Sequence, residues 1–175
     1  MTTIAWDGKF LAADSLMASG DIKRQAPFQK LTPSPNGRFV GSHSGTVTEE
    51  VMKFIGWVRD GSIMQRIVKA NGTPLKVTKD DDLVCLLFDA QDMTVYEIDE
   101  FGAISLSLEA PHAYGSGRRF ALGAMLAGRT APDSVAITAK LDVYTGLPID
   151  CYRRTAAGRF AYMTPAALRA ASATP

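Results

Sequence analysis

The sequence predicts an α+β fold, and three observations carry that reading. The chain opens as a β-hairpin, its strands and helices come in blocks rather than in βαβ alternation, and its helical stretches carry their own start and stop residues. With 175 residues, one domain spanning 1–175 around one sizeable core is expected.

Residues 2–6 are β-rich, Asp7-Gly8 is a favoured two-residue turn, and residues 9–13 return. A loop follows, punctuated by Gly20, Pro27, Pro33, Pro35 and Gly37. Residues 38–40 form a short strand running into the small, polar stretch 41–45, where His43 is expected in a loop or at a pocket rim. Thr46 and Glu49 have capping-box spacing, Val51, Phe54, Ile55 and Val58 recur on one helical face, and Gly61 is the stop. Residues 63–70 suggest a short helix and Asn71-Gly72 a turn. Asp80-Asp81-Asp82 lead into the apolar run 83–88, so a solvated loop entering a buried strand is expected there rather than a metal cluster. Residues 94–98 and 104–108 complete a strand-turn-strand pattern. Gly115-Ser116-Gly117 opens a helix over 118–126, closed by Gly128. Ala131-Pro132-Asp133 starts another, running to about 141, with proline in its first turn. Residues 142–146 read as a turn, 147–153 and 159–163 as strands, and Thr164-Pro165 as the start of a short terminal helix.

The bulk numbers exclude several classes of function. A formal net charge of +1 supplies neither the basic field that nucleic acid requires nor an acidic tail. The apolar runs are far shorter than a bilayer span, so no membrane partner is expected, and no charged segment followed by an apolar one marks a secretory signal. Cys85 and Cys151 sit in apolar, strand-like runs and are expected to be buried free thiols in a reducing cytoplasm.

The chemistry is suggested by Met1-Thr2-Thr3. A hydroxyl is a weak nucleophile at neutral pH and needs a nearby base. A threonine freed by removal of Met1 has one, because its own α-amine, with a pKa near roughly 8, can accept the Oγ proton.

Five stretches in order extend this hint. Thr2-Thr3-Ile4-Ala5, Leu11-Ala12-Ala13-Asp14, Gln29-Lys30-Leu31, Tyr114-Gly115-Ser116-Gly117 and Asp142-Val143-Tyr144-Thr145-Gly146 resemble the β-subunits of proteasomes and the HslV peptidases of bacteria and their phages. The resemblance touches nearly the whole chain except about 59–82. It implies the Ntn-hydrolase fold, a four-layer αββα sandwich of two antiparallel sheets flanked by helices. It also implies a threonine-type endopeptidase acting on peptides or unfolded proteins, a ring-shaped homo-oligomer, an ATP-dependent unfoldase as feeder, and no cofactor or metal.

The roles carry over residue by residue. Thr2 matches the nucleophile, with its freed amine as general base. Lys30 matches a lysine whose charge lowers the pKa of the threonine hydroxyl, and Asp14 the acid that holds it. Gly41 matches the oxyanion donor, a backbone N–H that can be worth about 2.7–4 kcal/mol of barrier. Ser116 matches the serine beside the threonine amine, and Asp142 the acid supporting it. Thr145 stands where the family most often has serine, keeping the hydroxyl and adding a methyl. Leu16 and Met17, just after Asp14, are expected near the specificity pocket and hint at an apolar preference. Two other readings use the same fold: a catalytically silent ring or scaffold subunit, and an amidase of small amides. A silent subunit would have no physical need for Thr2, Asp14, Lys30, Ser116 and Asp142 together.

Overall fold

The computed structural model describes residues 2–19, 22–24, 28–68, 84–99 and 102–172. Among these the chain is α+β, with two five-stranded antiparallel sheets, a small two-stranded ribbon and five helices. The expected turn at Asn71-Gly72 and the aspartates 80–82 lie outside the described residues. The chain divides into two compact units.

The first unit comprises 1–31, 109–155 and 161–175. The predicted hairpin forms as β1 (Thr3–Trp6) and β2 (Phe10–Asp14), with Ile4 opposite Ala13 and Ala5 opposite Ala12. Gly8 takes the left-handed conformation the turn requires. A strand absent from the sequence reading, β10 (His112–Gly115), pairs with β1 on its other side. On the far side of β2 lies β11 (Ile149–Arg154), followed by β12 (Phe160–Tyr162), which gives the order β10-β1-β2-β11-β12. β11 starts two residues later than the pattern suggested, just after Pro148, which has no N–H to give a ladder.

Ala5, Ala12 and Cys151 come together on one face of this sheet. Their small side chains let α3 (Arg118–Leu126) and α4 (Ala131–Thr138) pack closely, filling the layer with Ala121, Met125 and Val135. Gly128 closes α3 in the left-handed conformation, as predicted. α4 starts with Thr130 Oγ1 accepting the Asp133 N–H, and the Asp7 carboxylate accepts the Ala131 N–H. α4 stops three residues short of the expected end, because the Thr138 carbonyl accepts the N–H groups of Leu141 and Asp142 and the chain turns away. The ribbon β3 (Met17–Ser19) and β4 (Ile22–Arg24) stands where only a loop was expected, and α5 (Pro165–Ser172) closes the chain.

The second unit comprises 32–108 and 156–160. Its sheet runs β5 (Thr32–Pro33), β6 (Phe39–Ser44), β7 (Val84–Asp89), β8 (Thr94–Asp99) and β9 (Gly102–Ser107). The stretch expected as a polar loop is the second half of β6, with Gly41 opposite Leu87 and His43 opposite Cys85. His43 is therefore a buried strand residue and not a rim residue. Its polar neighbours Ser42 and Ser44 concealed a strand that pairs with β7 along its whole length. α1 (Glu49–Asp60) lays Val51, Phe54, Ile55 and Val58 on this sheet, the four residues its period predicts. Its cap is Thr48 rather than Thr46: Thr48 Oγ1 accepts the Val51 N–H, and Glu49 and Glu50 occupy the first turn, where the helix dipole favours them. α2 (Ile63–Val68) follows the left-handed Gly61.

Candidate active site

Six of the seven residues singled out above fall in the first unit, and a single hydrogen-bonded network joins them. Thr2 precedes β1 and is almost fully buried, at 2% exposure. Its carbonyl accepts the Ser116 N–H at 2.9 Å. The left-handed turn at Gly115, on the end of β10, brings that N–H round to Thr2. The Ser116 hydroxyl donates to Asp142 Oδ2 at 3.0 Å, and the Thr145 hydroxyl donates to the same oxygen at 2.6 Å. The turn between α4 and β11 makes this convergence possible, with Asp142 Oδ1 accepting the Tyr144 N–H as in an ordinary Asx turn.

Asp14 ends β2, next to β1. Its Oδ1 accepts the Lys30 ammonium at 2.8 Å and the Thr3 N–H at 2.9 Å. Its Oδ2 accepts the N–H groups of Leu16 and Gly146, each at 3.1 Å. The carboxylate is fully buried and Lys30 is 4% exposed, so this is a desolvated ion pair with all its acceptor directions used. Burial pulls the Lys30 pKa below the ordinary lysine value, while Asp14 and, at longer range, Asp142 act to hold it up. The result is a buried cation whose charge the two acids of the network sustain.

Thr3 was not singled out from the sequence, yet it links the two halves. Its N–H goes to Asp14, and its Oγ1 lies 2.6 Å from Thr145 Oγ1. Thr145 spends its proton on Asp142, so Thr3 must be the donor, and the proton chain runs Thr3 to Thr145 to Asp142. A threonine in a strand reads as ordinary β-propensity. The signal that could have found it is register, since Ile4 opposite Ala13 sets Thr3 beside Asp14. Gly117 is a second omission. A methyl there would overlap Thr3 Oγ1 and Thr138 Cγ2 and press on Thr145 Oγ1 at 3.0 Å, so glycine is required for the network to close.

Gly41 belongs to the second unit. There it sits in β6 under α1, where a Cβ would come within 2.8 Å of Val58 Cγ2 and 3.1 Å of the Phe54 ring. Close approach of the helix thus accounts for the glycine by itself. Leu16 is half-buried and packs over Gly146, whose own Cβ would lie 3.0 Å from Leu16 Cβ. Cys85 and Cys151 are free and buried, and burial pushes both thiols up to about 12. Among the described residues no group of three or more His, Cys, Asp or Glu could hold a metal ion, and no helix is long and apolar enough to cross a membrane.

No family model matches this chain, and no curated protein matches it. Among solved structures it is similar to Thiobacillus denitrificans BPH, with 18% identity over 89% of this chain and 98% of that one, at a TM-score of 0.59. The two chains share a fold across nearly their whole lengths, and at this identity the likeness extends to the fold alone.

Proposed function

We propose that this chain is an N-terminal threonine peptidase of the proteasome/HslV type, with the αββα Ntn-hydrolase fold. The observation that carries the reading is the network. Thr2, Asp14, Lys30, Ser116, Asp142 and Thr145 come from five separate places in the sequence, and all are joined by hydrogen bonds of 3.2 Å or less running through Thr3 and Gly146.

The mechanism is acyl transfer. Once Met1 is removed, the Thr2 amine takes the proton of its own Oγ, which attacks the substrate carbonyl. The buried Lys30 ammonium favours the ionised hydroxyl, and Asp14 holds that ammonium in place. The amine returns its proton to the leaving nitrogen, and water then hydrolyses the threonine ester. Ser116, held by Asp142, orients the head of β1 throughout. No step is assigned to Gly41. Peptides or unfolded proteins in the cytoplasm are the substrates, within a homo-oligomeric ring fed by an ATP-dependent unfoldase.

The test is an intact denaturing mass before and after exposure to a peptide epoxyketone. A mass lacking Met1 and gaining one adduct is expected, with both adduct and turnover lost in Thr2→Ala while the fold persists. A mass that retains Met1 and gains no adduct would sink the reading.

A further inference from the structure

β11 presents Asp150 and Tyr152 on the face opposite the helix-covered one, with Pro148 just ahead of the strand, since Ile149 and Cys151 point into the α3–α4 core. Those three residues, with Ser15, Gln29 and Tyr162, line a cavity of about 450 Å³, within the range of small-ligand pockets. Ser15 follows Asp14 and Gln29 precedes Lys30, so the cavity borders the buried ion pair.

Its chemistry has a definite sign. Asp150 takes a backbone N–H from Lys30, yet its Oδ2 is buried with no hydrogen-bond partner. Leaving a buried carboxylate oxygen unmade is costly, so such an atom requires an explanation. Among the described residues no lining residue is basic, and Asp14, although paired with Lys30, acts on Asp150 as a nearby negative charge. Tyr152 and Tyr162 meet edge to face with ring centroids 5.4 Å apart, giving the mouth an aromatic wall of the kind cations favour.

We infer that this cavity is a subsite for a cationic side chain of the substrate, arginine or lysine, with Asp150 Oδ2 as its acceptor. The proposal takes its ligand class from the peptidase reading and adds a charge preference to it. Burial and Asp14 together raise the Asp150 pKa, and a bound cation would draw it back down.

The test measures binding, so it stands apart from turnover. Short peptides carrying arginine, or its neutral isostere citrulline at the same position, are titrated by calorimetry against Thr2→Ala and against Thr2→Ala/Asp150→Asn. The arginine peptide should bind roughly 10- to 100-fold tighter to the first protein, the range for a charged hydrogen bond, and the advantage should vanish in the second. Tyr162→Ala alters an exposed ring and leaves Asp150 intact, so it should reduce the advantage only partly. Equal affinity for the two peptides, or an advantage that survives Asp150→Asn in a protein with an unchanged melting curve, would overturn the subsite. Failure of the peptidase reading appears separately, as absent turnover by wild type.

Discussion

In Lys30 and Asp14, at the scale of single residues, the proposed function and the stability of the fold rest on the same atoms. Removing Lys30 takes away the cation of the network and leaves the buried Asp14 carboxylate without its counter-charge. Three backbone N–H groups, from Thr3, Leu16 and Gly146, would still hold that carboxylate. Lys30→Ala should therefore cost about 3 kcal/mol, the lower end for breaking a buried pair, and should also abolish turnover. Denaturant melts and a peptidase assay on the same preparation check both, and full activity in the variant would reject the electrostatic role. The residues proposed to perform chemistry were legible in the sequence only through the family resemblance of the five stretches that carry them, since each alone has an ordinary explanation. Thr3, Gly117 and Asp150 were not, because threonine in a strand, glycine before a helix and aspartate in an edge-side strand have ordinary explanations until register and packing are known.

Single elements show where polarity and periodicity disagree. α1 announced itself through four apolar residues at helical spacing, and α3 and α4 through their glycine and proline punctuation. β6 was half hidden, because the small and polar run Gly41-Ser42-His43-Ser44 looks like a loop even though its backbone pairs with β7 throughout. β10 and the β3–β4 ribbon carry no alternation that composition could reveal. β6 also leads to a prediction. Gly41→Ala would push a methyl into Val58 and Phe54, so α1 must shift outward from its own sheet. A loss of about 1–3 kcal/mol is expected, typical of overpacking, and a thermal melt measures it. A variant as stable as wild type would show that α1 yields freely.

At the scale of the whole molecule, the first unit exposes several large apolar side chains. Phe120 and Leu126 stand out from α3, and Leu141, Val143 and Leu147 from the turn after α4, with Leu126 70% exposed. Under the ring proposed above, these side chains are the ones expected to meet neighbouring subunits. Native mass should accordingly be a multiple of the 18.8 kDa chain, and Leu126→Glu should lower it without disturbing the melt. A monomeric wild type in native mass spectrometry would dismiss the ring. The α+β class, the opening hairpin and the helices could be read from sequence. The division into two units, one of them assembled from three chain segments, could not, since it depends on pairings such as β1 with β10 that span more than a hundred residues.

That long-range pairing has a consequence for timing during synthesis. The partners that enclose Thr2 and Thr3 are Ser116 and Thr145, and the ribosome makes them more than a hundred residues later. At roughly 5–20 residues per second, the delay is on the order of ten seconds. Through that interval Thr2 lacks these partners, and once the sheet closes, Thr2 is 2% exposed. On the peptidase reading proposed above, Thr2 is thus expected to be uncovered on the nascent chain, before Ser116 and Thr145 are made.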